Sequence, residues 1–487
     1  MPFQVVILWT DWLVFLLVVV VALAFVYVRR HEHLLAPWRR VTHSASGMVG
    51  LTVLLVFVVI GLLDSMHYRP RVAGKEAAAR VVYAAEVKSA LDAVLEPLRS
   101  RREKTYSAPL AAQLFAKETM ERADGSQWRD YPRLKFGGAQ LKDPAAEWAL
   151  SVSRAVLGGV AAGTVLWLVI ASCVAAALAQ TTGQRIRPVW AAVWRGDTEV
   201  PWRAILLTVL GLCLAGAVVI ALAMHYHVLG TDKVGQDVLY LTLKSIRTAL
   251  VIGTLTTLVM LPFALVLGIA AGYFGGWIDD AIQYVYTTLN SIPGVLLIAA
   301  AVLMMQVYID THAELFPTAA QRADLRLLFL CIILGVTSWT GLCRLLRGET
   351  LKLRELEYIQ AAHAFGVRHH RVISRHILPN VMHIVLISVV MEFSGLVLAE
   401  AVLSYVGVGV DPSMNSFGTL INNARLEMAR EPMVWWSLAA AFVFMVTLVL
   451  AANLFADAVR DAFDPRVRTR LHPLLKRRPA VSSGARG

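Results

Sequence analysis

At 487 residues, 57% hydrophobic and 16% charged, the chain is more apolar than a soluble domain, which runs near 45–50% apolar and about 25% charged. Its apolar residues fall in runs of about 20, long enough to cross roughly 30 Å of hydrocarbon as helix, so the composition excludes an ordinary soluble fold. The formal net charge of +12 sits beside those runs, where Lys and Arg mark cytoplasmic loops and anionic lipid. No zinc-finger, RNP or basic-zipper pattern accompanies it, and nucleic-acid binding is not expected.

In chain order the hydropathy pattern predicts an all-α polytopic membrane protein with about nine transmembrane helices, near 8–28, 47–63, 153–179, 203–224, 247–273, 283–308, 326–345, 382–410 and 435–457. The first run ends in Arg29-Arg30 without a small-residue cleavage site, so it reads as a retained helix. Arg29, Arg30, Arg39 and Arg40, then Arg185, Arg187, Arg195 and Arg203, then the 344–375 loop, then the tail from Arg466 to Arg478 are all basic. Nine alternating spans place every one of these inside, with the N-terminus outside and the C-terminus in the cytoplasm. Segment 64–150 falls outside, where a long loop translocates largely regardless of its charge. Its Ala-rich stretch Glu76–Leu98 reads as helix, and Trp128, Tyr131 and Phe136 suggest a small packed helical cap. It holds no catalytic constellation. The four cysteines, Cys173, Cys213, Cys331 and Cys343, lie in or beside apolar runs with no Cys-x-x-Cys pair and read as packing residues.

Between the spans at 326–345 and 382–410 lies a basic island, 357–380. Tyr358, Ile359, Ala362 and Phe365 share a face at helical spacing; Gly366 permits positive φ; a second short helical run reaches Arg375; Pro379 suits the first turn of the next helix. This layout resembles the EAA loop of ABC-importer permeases, through which the membrane subunit engages its ATPase. Glu357, Ala361, Ala362, Gly366, Ile373, Leu378 and Pro379 match that pattern.

Three further stretches carry the same resemblance. His227 to Asp237 is similar to the outer segment of dipeptide, oligopeptide and nickel importer permeases, with Val228 and Gln236 where that family has Pro and Arg. Gly230 and Gly235 suit tight turns there, and Asp232 and Asp237 suit helix caps. Glu400 to Gly407 is similar to the outer end of the family's fifth core helix, and Asn453 to Arg466 to its terminus. The resemblance covers roughly 203–470, fits a type I ABC-importer permease core, and is nearest to the C-type subunit. Both Trp-Arg-Arg at 38–40 and Trp202-Arg203 look like the family's usual start; chain order favours 203–224 as the first core helix. The division is then 1–63 for N-terminal helices, 64–150 for the extracytoplasmic insert, 151–202 for an extra helix and loop, 203–470 for the core and 471–487 for a basic tail.

Acidic residues inside spans cost roughly 2.5–3.5 kcal/mol on insertion scales and need a reason. Glu400 reads as a gate or structural residue, and Glu392 equally as a translocation-path or a packing residue. Asp279 and Asp280 suit a turn at the inner interface. The histidines His363, His369, His370, His376 and His383 form no closed ligand set, so no metal site is expected. No Gly-x-x-x-x-Gly-Lys-Ser/Thr loop occurs, so the chain binds no ATP itself.

The resemblance implies a non-catalytic permease subunit of an ATP-driven importer for di- or oligopeptides in a bacterial inner membrane. It implies a second, B-type permease, one or two cytoplasmic ATPase subunits carrying ATP and Mg, and an extracytoplasmic peptide-binding protein; lipid is the remaining partner. The binding protein is expected on the outer side near Gly230, Asp232, Gly235, Asp237, Glu400 and Gly407. Two other classes remain open: a secondary transporter, which calls for inverted repeats, and a membrane sensor acting through the 64–150 cap.

Overall fold

Apolar runs of this length satisfy their backbone in hydrocarbon only as helices. In a computed structural model, nine helices among the described residues are long and apolar enough to span. The structure describes residues 3–71, 83–121, 127–312, 314, 316 and 318–463. The terminal motif beyond Phe463, the basic tail, and the 76–82 part of the expected cap helix lie outside them.

The chain opens with strand β1 (Phe3–Val6) and helix α1 (Trp9–Arg29), then the amphipathic α2 (Glu32–His43) and the apolar α3 (Ala45–Asp64). The insert follows. Strand β2 (His67–Pro70) pairs antiparallel with β1 and with the short β3 (Lys88–Ser89), and two five-residue helices follow, α4 (Ala90–Val94) and α5 (Glu96–Ser100). A hairpin of β4 (Glu118–Glu121) and β5 (Gln127–Asp130) completes the cap. The expected Glu76–Leu98 helix is therefore corrected in part: among its described residues, 83–89 form no helix and Lys88–Ser89 pair with β2, whereas 90–94 and 96–98 are helical, in α4 and α5. The alanines gave local propensity, but pairing with β2 satisfies the same backbone groups, and the tertiary context wins.

Next come α6 (Pro144–Thr182), the short amphipathic α7 (Ile186–Arg195) and α8 (Trp202–Ala223). Helices α6 and α8 form a close pair, because Gly159 lets the backbones touch: a Cβ there would lie 2.6 Å from Val218 Cα. The core continues with α9 (Val238–Phe274), α10 (Gly276–Ser291), α11 (Gly294–Thr311), α12 (Ala319–Ser338) and α13 (Thr340–Arg354). The expected 283–308 span is divided at Ile292-Pro293, since the ring removes a helical donor and pushes the preceding residue out of helix. The last elements are α14 (Glu357–Ala364), α15 (His369–Val372), a π turn (Ile373–Ile377), α16 (Leu378–Val406), α17 (Phe417–Glu427) and α18 (Trp436–Phe463).

Helix α9 is the hub, packed by α3, α12, α13 and α16. The place beside α9 and α18 belongs to α3, not to 203–224 as chain order suggested. Gly50 brings α3 against α18, where a Cβ would sit 2.6 Å from Ala451 O. Helix α8 packs instead on α6 and α3, so α6, α7 and α8 stand together beside the core.

Candidate functional site: the docking loop and the outer joint

The 357–380 loop lies against the C-terminal ends of α9 and α13. Helix α14 starts with Glu357 in its first turn, where an acid complements the helix dipole; the side chain is exposed. The predicted face is only half right. Ile359 is fully buried and Ala362 packs beside it, but Phe365 points outward, 85% exposed, with Tyr358 and Leu356 also largely open. Phe365 has already left the helix as its C-cap, so the 3.6-residue periodicity no longer places it. Gly366 follows with φ +70°, its amide donating to His363 O at 2.9 Å. This is the left-handed turn that favours glycine.

Beyond the turn, Ile373 and Leu378 pack into the same cluster as Ile359, Val372 and Ile377, while Ala361 stays exposed. The second helix does not stop before the membrane. It runs through the π turn into α16, with Pro379 in the first turn. The wider turn accommodates the ring against the carbonyl four residues back, at Arg375. Asn380 Nδ2 donates to His376 O at 2.6 Å and to the Tyr358 hydroxyl at 3.2 Å, tying the two limbs of the loop together. Sequence reasoning passed over Tyr273, whose hydroxyl stands 3.2 Å from His363 Nε2 and 2.9 Å from His369 Nδ1. Nothing in its sequence neighbourhood marks it. Nearby, Asp279 accepts two bonds from Arg347 at 2.5 and 2.7 Å, which hold its carboxyl below the ordinary range; Asp280 stands exposed beside it.

At the opposite end of α9 the insert closes over the outer loop. Asp237 caps α9 as expected, accepting from the Leu239 and Tyr240 amides at 2.8 and 3.4 Å. Asp232 accepts from Val234 and Gln236 amides at 2.9 and 2.8 Å, so its carboxylate serves its own turn. Gly235 meets the backbone of Glu103, and Gly230 that of Ser107, so the insert covers both. Thr231 exchanges bonds with Ser107 and takes Trp436 Nε1 on its carbonyl at 3.0 Å. Gly230, Thr231, Gly235 and Asp237 are thus buried, Asp232 is half-buried, and Lys233 and Val234 at the tip of the loop stay exposed.

His227 sits between two carboxylates, 2.8 Å from Asp237 Oδ2 and 3.4 Å from Glu103 Oε1. Burial opposes its charge, but Asp237 and Glu103 outweigh that and raise its pKa to about 9. Burial also opposes the charge on Glu103, yet His227 and the amides of Lys135, Phe136 and Gly137 bring it to about 2. The raised histidine contributes stability that is complete below its ordinary 6.5 and disappears as pH climbs through about 9. The lowered glutamate contributes stability that is complete above 4.5 and disappears as pH falls through about 2. The joint is therefore firmest between those ordinary values. Hydrogen exchange at residues 100–115 and 130–140 is expected to quicken clearly from pH 6 to pH 9.5, after correction for intrinsic rates; Gln at His227 should remove the dependence.

Glu400 is 1% exposed and accepts from Ser404 Oγ at 2.6 Å, beside the start of α17. Gly407 ends α16 in a left-handed turn. Glu392, half-buried on α16, has no bonding partner among the described residues. Asn453, from the terminal motif, accepts from Ser394 Oγ at 2.6 Å and joins α18 to α16.

A multi-span helical core with a glycine-bent loop seated against α9 and α13 fits a membrane transport component. The chain belongs to the family described as binding-protein-dependent transport system inner membrane components, whose model matches residues 264–469. It is therefore a multi-pass inner-membrane permease component. It is 34% identical over 243 residues to the oligopeptide transport system permease protein OppC of Mycobacterium tuberculosis, covering 50% of this chain and 77% of that one. With OppC of Haemophilus influenzae the identity is 31%, over 50% and 71%. With the dipeptide transport system permease protein DppC of Bacillus subtilis it is 27%, over 50% and 69%. Among solved structures, the inward-facing MetNI methionine ABC transporter covers 46% of this chain and 97% of its own, at 16% identity and TM-score 0.35.

Proposed function

We propose that this chain is the C-type permease subunit of an ATP-driven importer of di- or oligopeptides. It would form half of the translocation pore beside a B-type permease, with one or two cytoplasmic ATPase subunits carrying ATP and Mg. The peptide substrate rests on the relatives, which are oligopeptide and dipeptide permeases. The observation that carries the coupling role is the bent loop at Gly366, which offers the exposed Phe365 beside the acidic Glu357 while Ile359 and Val372 anchor it below. Phe365 would fill an apolar groove on an ATPase, and Glu357 would meet its cations. The basic loops favour a cytoplasmic C-terminus and an outer N-terminus.

The extracytoplasmic binding protein would meet the insert rather than the 230–237 loop, because Ser107 and Glu103 already occupy that loop. Glu392 is the candidate path residue, since an unpartnered half-buried carboxylate can receive a peptide's amino terminus.

Purification through this chain in mild detergent, followed by native mass spectrometry, tests the reading. Co-purification of a second permease and ATPase subunits is the expected result. Recovery of the chain alone, or with copies of itself only, overturns it.

A further inference from the structure

The geometry points to Tyr273 as the positioning residue that fixes the bend of the docking loop, one hydroxyl spanning the Gly366 turn; this rests on the reading of 357–380 as the ATPase-docking element. Tyr273 lies on the last turn of α9 and is 4% exposed. Its ring belongs to the apolar cluster that also holds Ile269, Ile359, Val372 and Ile377. Only the hydroxyl emerges, and it meets one nitrogen on each side of the turn: His363 Nε2 at 3.2 Å, from α14, and His369 Nδ1 at 2.9 Å, from α15. The rings add to the grip. His363 stacks on Tyr273 at 5.5 Å and 26°, and His369 meets it edge-on at 5.7 Å and 75°.

A phenol donates one hydrogen bond and accepts others, so it can serve both imidazoles at once, giving to one and taking from the other. Gly366 supplies the bend and its amide closes the turn on His363 O, but no other part of the protein packs on it, nothing lying within 4 Å of where its Cβ would be. Beyond those backbone bonds the two limbs are joined by the shared hydroxyl, together with the buried anchors on each limb. Tyr273 is itself firmly placed. Arg354 Nη1 donates to its carbonyl at 3.4 Å, and at Gly272 α9 lies against α13 so closely that a Cβ would stand 2.6 Å from Thr350 Cβ. A displacement of either limb of the loop therefore bears directly on the inner end of α9. The other end of α9 carries the Asp237–His227–Glu103 joint, so Tyr273 stands where motion of an ATPase subunit enters the helix that reaches the outer face.

The test uses the intact complex and needs no knowledge of the transported peptide. Hydrogen exchange is compared with and without MgATP at the docking loop and at the outer end of α9, residues 238–245. The variants are Tyr273→Phe, His363→Ala and His369→Ala, beside His363→Gln and His369→Asn, whose amides reach the places of Nε2 and Nδ1. Phe keeps the ring and its burial, so the unfolding midpoint should move little. In wild type, MgATP should alter exchange at both places. In Tyr273→Phe and the two alanine variants the ATPases should remain bound, but the response at 238–245 should fall about tenfold, the scale expected for one or two lost hydrogen bonds. The Gln and Asn variants should respond nearly as wild type. A Tyr273→Phe complex that retains its ATPases and responds in full at 238–245 overturns the assignment. So do Gln and Asn variants as impaired as alanine, which would trace the effect to ring packing. If no ATPase accompanies wild type, the docking reading fails, and this inference with it.

Discussion

Proline at Gly366 is expected to bring uptake of a labelled dipeptide or tripeptide down to background, with the chain still inserted in the membrane at normal abundance. The glycine holds φ +70°, whereas the pyrrolidine ring fixes φ near −65°, so the turn cannot survive in its present form. The substitution also deletes the amide that donates to His363 O at 2.9 Å and disfavours helix at the preceding Phe365. Phe365 would lose its presentation, and His363 and His369 would no longer meet at one hydroxyl. Insertion should be spared, because the spans on either side depend on hydropathy rather than on this turn. Gly366→Ala is the graded control: a left-handed alanine costs about 1–2 kcal/mol, so uptake should be impaired but measurable. ATPase subunits should drop out of the proline complex in native mass spectrometry. Undiminished uptake by Gly366→Pro would remove the docking role from this loop.

The second large effect is expected at the other side of the molecule. Helix α1 is fastened to the core by a buried ionic cluster at its N-terminal end. Arg247 Nη2, on α9, donates to Asp11 Oδ1 at 2.6 Å and to Thr10 Oγ1 at 2.9 Å, and lies 3.7 Å from Asp324 Oδ1 on α12. Thr10 donates in turn to Asp324 through both its hydroxyl and its amide, and His67 Nδ1 meets Asp11 Oδ2 at 2.7 Å. Thr10, Asp11, Arg247 and Asp324 are all 5% exposed or less. Removing one partner of such a pair strands the other in a poorly solvated place, at a cost of about 3–5 kcal/mol. Asp11→Ala should therefore lower the unfolding midpoint in detergent by several degrees and loosen α1, detectable as faster proteolysis near residues 29–33. Because the cost comes from the stranded charge, Asp11→Leu combined with Arg247→Met should recover much of the stability. An Asp11→Ala protein as stable as wild type would show that α1 is held by its apolar contacts alone.

Much of the architecture was legible because the bilayer simplifies the rules. Long apolar runs have only one way to satisfy their backbone, so the nine helices long and apolar enough to span, among the described residues, followed from composition. Boundaries were less legible. The break at Ile292-Pro293 was written in the sequence and passed over within an apolar run, and α13 extends α12 through residues too polar to count as membrane. Asp11 and Arg247 escaped notice although the same rule that singled out Glu392 and Glu400 applies to them: an ionisable residue in a span asks for its partner.

Local sequence alone determined the turn at Gly366 and the cap at Asp237, because each depends on the conformational range or side-chain reach of one residue; the end of α16 at Gly407, three residues short of the expected span, was equally local but was passed over. Only the tertiary structure decided which of two similar helices stands beside α9: α3 and α8 are alike in length and hydropathy, but Gly50 and Gly61 of α3 admit α18 and α9, whereas α8 lies against Gly159 and Gly163 of α6. It also decided that Glu103 and Ser107 close the outer loop and that Tyr273 meets two histidines some 90 residues away. Hydropathy and turn chemistry act between neighbours and are carried by any short stretch. Hydrogen bonds and ion pairs between distant segments exist only once packing brings them together, and no local pattern records them.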